Sequence, residues 1–150
     1  MKARTKWQRV RRRMCRARMD KGELNCPCCG RVMFFIKSED WKSYADRHQA
    51  MHETPPSKWP DKIGRALATV DHLIPRIRGG TDHPRNLFVM CGACNQEKDN
   101  KTASEWIAWR KDQGRPLDPI VTARLMKRER KARRVCGILP PVNQTTKRKA

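Results

Sequence analysis

Two Cys-x-x-Cys pairs far apart in the sequence constrain this chain more than any other feature. The first pair is Cys26 and Cys29, and the second is Cys91 and Cys94. Four thiolates can surround one Zn²⁺ in a closed tetrahedral site, and such binding stabilises zinc-finger peptides by about 10 kcal/mol. The spacing therefore predicts a structural zinc that joins the two segments, with Cys28 as a spare because adjacent cysteines cannot easily turn both sulfurs toward one ion. The alternative is that the four thiols are buried without metal.

The composition predicts one small domain with a modest core. The chain has 150 residues, 37% of them hydrophobic, and only nine are Phe, Trp or Tyr, so a structural metal would help it to fold. No apolar run has the length of a secretory signal or of a membrane span. We therefore expect an intracellular protein, not secreted and not in the membrane. In a reducing compartment, the seven cysteines favour metal binding over disulfides.

The charge is concentrated at the two ends of the sequence. Of the net charge of +20, residues 1–21 carry +9, residues 124–150 carry +9, and the middle carries only +2. Two basic ends around a nearly neutral centre indicate a polyanionic partner, nucleic acid above all. The alternative is a strongly charged surface that serves solubility alone.

The pattern divides the chain into three parts. Residues 1–22 are predicted to form a basic helix or arm with a narrow apolar stripe, residues 23–114 a zinc-stapled domain, and residues 115–150 a basic helix with a flexible tail. The stripe comprises Trp7, Val10, Met14 and Ala17. A further helix is predicted over residues 38–53, where His48 and His52 stand at a chelating spacing but lack a third ligand, so that we interpret them as surface or packing residues.

Two more helices are predicted toward the C-terminal end of the chain. Thr102 and Glu105 form a capping-box pattern that predicts a helix at residues 103–113, and Asp118 before Pro119 predicts the start of a last basic helix. The apolar side of this last helix comprises Ile120, Val121, Leu125 and Met126.

Three polar positions in the centre of the chain suggest chemistry. Asp71 and His72 follow a predicted strand, Ala66–Val70, and Asn95 opens a predicted helix after a second strand, Asn86–Met90. Carboxylate and amide oxygens suit Mg²⁺, and a histidine can accept a proton from water near neutral pH. Neighbouring side chains on a strand point to opposite faces, so we expect the strand to bend where Asp71 and His72 share a site.

Residues 70–98, VDHLIPRIRGGTDHPRNLFVMCGACNQEK, resemble the core of the HNH endonucleases. The resemblance rests on the Asp-His pair, the Ile-Pro step, the Gly-Gly turn, the Asn-Leu step and the final C-x-x-C-N-x-x-K. It implies a small α+β fold with a beta-beta-alpha-metal core and a four-cysteine zinc site, flanked here by basic helices. It also implies metal-dependent hydrolysis of DNA phosphodiester bonds, in one strand or both.

The resemblance assigns a role to each polar residue. His72 would be the general base, Asp71 and Asn95 would hold one catalytic ion (Mg²⁺ or another divalent ion), and Asn86 would orient the loop and the base. Where the family is named for His-Asn-His, this chain reads His-Asn-Asn. The candidates for phosphate binding are Arg76, Arg78, Arg85 and Lys98.

Two other functions fit the same sequence. The first is a non-catalytic, zinc-stapled nucleic-acid-binding protein, in which His72 would be dispensable. The second is a ribosome-associated or RNA-binding basic protein, which would prefer RNA to DNA. Small free-standing nucleases of the resembled type are often associated with phages, mobile introns or restriction systems, so the resemblance implies the cytoplasm of a bacterium or of a phage-infected host.

Overall fold

Two short antiparallel strands lie at the centre of the fold. A computed structural model describes residues 5–35 and 61–139, with β1 at Ala68–His72 and β2 at Leu87–Cys91. Ala68 pairs with Cys91, and His72 pairs with Leu87. All of β2 is buried. Both strands begin later than predicted, β1 by two residues and β2 by one, because cross-strand pairing and not the local apolar run sets their limits.

Five α-helices surround this hairpin in the described part of the chain. They are α1 (Lys6–Asp20), α2 (Asp61–Ala66), α3 (Gly92–Lys98), α4 (Ala103–Asp112) and α5 (Pro119–Val135). Two 3₁₀ turns, Arg76–Arg78 and Pro84–Asn86, lie in the loop between the strands. The predicted small α+β class is confirmed.

The N-terminal helix lies against the hairpin. A capping box between Thr5 and Gln8 starts it, and Trp7, Val10 and Met14 contact the core as predicted. Ala17 is exposed, so its place in the predicted stripe was wrong. Arg18, four residues after Met14, faces inward instead. Its guanidinium donates to the carbonyl oxygens of Glu23 and Asn25.

The two C-terminal helices begin where the sequence indicated. Thr102 and Glu105 form the predicted capping box of α4, and Asp118 caps α5 by accepting from two backbone amides. Trp106 of α4 is fully buried. In α5 the inward face comprises Leu125, Glu129 and Ala132. The predicted apolar side was wrong at Ile120, which is 71% exposed, because it stands in the first turn beyond the core.

Glu97 ties α3 to the segment that follows it. Its carboxylate accepts from the Trp106 indole at 3.0 Å and from Arg110 and Arg115 at 2.8 and 3.2 Å. Burial acts to raise the pKa of Glu97, but the Trp106 bond and the two arginine charges outweigh it, so the pKa is lowered overall.

Part of the predicted organisation lies outside the described residues. This applies to the whole of the helix predicted over residues 38–53, including His48 and His52, and to the tail from residue 140. Among the helices that the structure does describe, none has the length and apolar character needed to cross a membrane.

Candidate active site and metal cluster

Four cysteine sulfurs meet between the N-terminal knuckle and the start of α3. The Sγ atoms of Cys26 and Cys94 lie 3.9 Å apart, those of Cys29 and Cys91 lie 3.7 Å apart, and all four lie within 4.8 Å of one another. A tetrahedron of sulfurs at about 2.3 Å from Zn²⁺ has edges of about 3.8 Å. The arrangement could therefore hold zinc. Cys28 is buried nearby but does not belong to this four-sulfur cluster.

The chemistry of the cluster also suits a cation. Hydrogen bonds from Cys28, Cys91 and Cys94 lower the pKa of the Cys26 thiol. The Cys26 sulfur in turn raises the pKa of Cys91 and of Cys94, and burial adds to this effect. A bound dication would favour the thiolate form of all four sulfurs.

The second group of polar residues lies where α3 contacts β1. Asn95 and Lys98 are three positions apart on α3, and Thr69 and Asp71 are two positions apart on β1, so each pair shares a face. Asn95 Nδ2 donates to Thr69 Oγ1 at 3.0 Å, and Lys98 Nζ lies 2.9 Å from Asp71 Oδ2. The packing therefore brings Asp71 and Asn95, the two predicted ligands of the catalytic ion, to one interface.

Two side-chain oxygen atoms at this interface could bind a cation. Thr69 donates its hydroxyl proton to Met90 O at 2.9 Å, so its Oγ1 can only accept from the Nδ2 group of Asn95. The carbonyl oxygen of the same amide, Asn95 Oδ1, receives no hydrogen bond from the described residues. Asp71 Oδ2 is buried. Lys98 Nζ pairs with it at 2.9 Å and also donates to His72 O at 2.8 Å. Carboxylate and amide oxygens are suitable ligands for a hard cation.

His72 lies at the end of β1, with its ring turned toward α1. Trp7 stacks on the ring at 5.1 Å between centroids and 19° between planes. On the ring's edge, His72 Nε2 lies 2.8 Å from Asp82 Oδ1. β1 pairs regularly with β2 through His72. The carboxylate of Asp71 contacts Lys98 of α3, and the ring of His72 contacts Trp7 of α1.

Asn86 holds the loop between the strands. Its side chain is fully buried; Oδ1 accepts from Ile74 N at 2.9 Å, and Nδ2 donates to the carbonyl oxygens of Ile74 and Thr81 at 3.0 and 2.8 Å. Gly80 lies directly beside it, where a Cβ atom would stand 1.7 Å from Ile74 O. Only glycine fits this turn, and the amide of Asn86 fixes its path.

The comparison with known families agrees with this geometry. Residues 61–108, which contain both strands, α3 and the polar residues between them, match the family model of the HNH endonucleases. These residues form an HNH endonuclease domain. Comparisons with curated proteins and with solved structures found no significant match. The match of this segment to the HNH endonucleases indicates a nuclease or a related nucleic-acid function, with nucleic acid as the substrate.

The four basic residues predicted to hold phosphate stand in different environments in the HNH domain. Arg76 makes a double contact with Asp82, Arg78 pairs with Glu105, and Lys98 is buried. Arg85 is exposed, and its guanidinium has no ion pair within the described residues. Arg85 is therefore the most available of the four for an incoming phosphate.

Three residues near the HNH site were not predicted to belong to it. Asp82 follows the Gly-Gly turn, Trp7 is some sixty residues before His72, and Thr69 looks like an ordinary strand residue. No local spacing pattern links any of them to the site. His83, which also had no assigned role, caps the second 3₁₀ turn by accepting from Arg85 N at 3.1 Å.

Proposed function

We propose that this protein is a metal-dependent DNA endonuclease in which Asp71 and Asn95 hold one divalent ion and His72 is the general base. The observation that carries the proposal is that the Asp71 carboxylate and the Asn95 carbonyl oxygen both lie at the interface where α3 contacts β1. The chemistry of these donors fits Mg²⁺ or a similar hard ion. When bound, the ion would supply positive charge for the phosphate oxygens.

The protein's own residues supply the rest of the reaction. His72 accepts a proton from the attacking water, the usual task of a histidine near neutral pH. Asn86 keeps the loop after His72 in one conformation through its three hydrogen bonds. Arg85 is free to hold a phosphate oxygen, and charge-assisted contacts of this kind are stronger than neutral ones.

The basic helices supply a grip on the nucleic-acid backbone. Most of the arginines and lysines of α1 and α5 are exposed, and they include Arg9, Arg11, Arg12, Arg13, Arg16, Arg124, Lys127, Arg130, Lys131 and Arg134. Contacts to phosphates carry little sequence information, and each one lowers the log of the affinity by about 0.9 per tenfold rise in salt. We therefore expect binding that is strong at low salt, steeply salt-dependent and weakly sequence-specific.

The cysteine cluster would hold a zinc ion with a structural role. Its four sulfurs leave no open position for water in a tetrahedral site, so we place catalysis at Asp71, His72 and Asn95 instead. The zinc would fasten the knuckle at Cys26 to the beginning of α3, the helix that presents Asn95.

Single-turnover cleavage of supercoiled plasmid over a range of magnesium concentrations tests the assignment of the ion ligands. Asp71→Asn and Asn95→Ala should each need at least tenfold more magnesium, because each loses one of the two ligands. Asn100→Ala is the matched control, since Asn100 is exposed just after the same helix. If Asp71→Asn and Asn95→Ala respond to magnesium as the wild type does, the ion is bound elsewhere. Magnesium should be omitted rather than chelated, because a chelator would also remove zinc.

A binding assay separates catalysis from simple recognition. His72→Ala should bind DNA with the affinity of the wild type and fail to cut it. His83→Ala, from the same loop, should bind DNA and cut it as the wild type does. A wild-type protein that binds but never cuts would favour the non-catalytic binding protein.

A further inference from the structure

The ring of His72 is restrained in two directions. Trp7 covers one face by stacking, and Asp82 lies at the Nε2 edge at 2.8 Å. The side chain of His72 is only 12% exposed. A stack on the face resists tilting of the ring, and a hydrogen bond on the edge resists its rotation, so the two contacts together fix one orientation.

The contact with Asp82 also determines where the ring proton lies. Partial burial acts to raise the pKa of Asp82, but hydrogen bonds and charge from Arg76 and His72 outweigh it, so the pKa is lowered overall. An ionised carboxylate can only accept hydrogen bonds. His72 Nε2 must therefore carry the proton, and in the neutral ring Nδ1 is left with its lone pair free.

Asp82 is itself held firmly. Arg76 donates to Oδ1 through Nε at 3.0 Å and Nη2 at 2.6 Å, and to Oδ2 through Nη2 at 2.6 Å. The guanidinium of Arg76 in turn lies over the ring of Trp7 at 5.1 Å. Trp7, Arg76 and Asp82 thus form a closed set of contacts around His72, and the set joins α1 to the loop between the strands.

We propose that Asp82 is a positioning residue for His72: its carboxylate keeps the proton on Nε2 and turns Nδ1 toward the attacking water. This inference rests on the proposed function, since it deepens the role of His72 as the base. Arg76 is assigned here to holding Asp82, and the phosphate contact falls to Arg85.

Two measurements on the full-length protein test the role of Asp82. The first is the nitrogen-15 spectrum of the histidine side chains at a pH where the rings are neutral, with the His72 signal identified by its loss in His72→Ala. The wild type should show the proton on Nε2, and Asp82→Ala should show a mixture of both tautomers. Arg76→Ala should retain the wild-type tautomer, because Asp82 is still present.

The second measurement separates the rate of cleavage from DNA binding. Asp82→Ala should lower kcat by about 100-fold with an unchanged DNA dissociation constant, because a misplaced base loses its alignment with water. Arg76→Ala should lower kcat less than Asp82→Ala does. Asp82→Asn is a second variant of unchanged size, and Asp112→Ala, on an exposed aspartate at the end of α4, is the matched control.

The outcomes distinguish this inference from the proposed function. If the wild type cuts DNA but the proton lies on Nδ1 of His72, or if Asp82→Ala cuts as fast as Arg76→Ala, the positioning role is overturned and the nuclease stands. If the wild type never cuts, the proposed function fails and the role of Asp82 in it fails as well. A tautomer change together with a loss of kcat supports both.

Discussion

Replacing Lys98 with methionine removes the positive partner of Asp71 while keeping a long apolar side chain. The ammonium of Lys98 lies 2.9 Å from Asp71 Oδ2 and donates to His72 O, and the lysine side chain is only 1% exposed. Breaking a buried ion pair by removing one partner costs about 3–5 kcal/mol. Since Asp71 remains 17% exposed, water can reach its carboxylate, and we expect the lower end, about 3 kcal/mol.

Urea denaturation in magnesium-free buffer measures this loss in the free energy of unfolding, and thermal denaturation in the same buffer measures the change in Tm. A change of about 3 kcal/mol corresponds to a drop in Tm of roughly 6–12 °C for a domain of this size. Lys127→Met is the matched control, because Lys127 is exposed on α5, and it should stay within about 0.5 kcal/mol of the wild type. The double variant Lys98→Met with Asp71→Asn should recover much of the loss, since it no longer contains an uncompensated charge.

Magnesium provides a second, independent readout from the same variant. With Lys98 absent, a divalent ion is the natural partner of Asp71, and an ion at 100 times its dissociation constant stabilises the folded state by about 2.7 kcal/mol. Magnesium should therefore stabilise Lys98→Met and leave the double variant unchanged. If Lys98→Met loses less than about 1 kcal/mol, or if magnesium stabilises both variants equally, the coupling of Asp71, Lys98 and the ion is wrong.

Three further perturbations test the rest of the account. Removing the metal of the cysteine cluster with a zinc chelator should unfold the domain, because such a site contributes about 10 kcal/mol and the usual total stability is about 5–15 kcal/mol. Elemental analysis should first find one zinc per chain. Far-UV circular dichroism that is retained after complete zinc removal would contradict this prediction. Gly80→Ala should destabilise the domain by about 1–3 kcal/mol in thermal denaturation, as overpacking does, because the added Cβ atom would stand 1.7 Å from Ile74 O. A Cβ atom at Gly64 would meet nothing within 4 Å, so Gly64→Ala should be neutral in the same measurement. Glu97→Gln should lose less stability than the wild type on acidification: the folded-state pKa of Glu97 is lowered, so the stabilisation is present above the unfolded pKa and is lost as the pH falls through the folded pKa. Urea denaturation at neutral pH and at about pH 3 checks this, and equal losses in both proteins would refute it.

Short-range patterns predicted the parts of this fold that depend on neighbouring residues. The capping box at Thr102 and Glu105 and the cap at Asp118 were readable because a helix start is stabilised by side chains within three positions. The cysteine pairs were readable for the same reason, since two sulfurs on one tight turn already form half of a metal site. The order of the Asp-His pair, the strand and the C-x-x-C-N segment then sufficed for the fold class.

The features that were missed depend on contacts between distant segments. The start of α3 was predicted near Asn95 but lies at Gly92, because the sulfur of Cys91 accepts from Cys94 N and caps the helix, a role that cysteine rarely has. Ala17 was placed on the buried stripe because spacings of three and four alternate in a helix, and only the packing decides between them. The contact of Asp82 with His72 joins residues that are ten positions apart, and neither the helical nor the strand periodicity predicts a contact at that separation.

Burial of charge was the least predictable property of the site. Lys98 was a candidate for phosphate binding on the helix of Asn95, yet it is fully buried beside Asp71. Lysines are usually exposed, so this burial was not expected. Its position follows from the three-residue spacing to Asn95 on α3 and from the face of β1 that receives both. Sequence reasoning could have found it only by placing α3 against β1 first.

The most direct test of the central claim is the conversion of supercoiled plasmid to nicked or linear DNA by the purified wild-type protein and by His72→Ala, side by side with magnesium. We expect the wild type to cut and His72→Ala to bind the plasmid without cutting it. If the two proteins cut equally, or if neither cuts with any divalent ion, His72 is not the base of a nuclease and the account of this site is wrong.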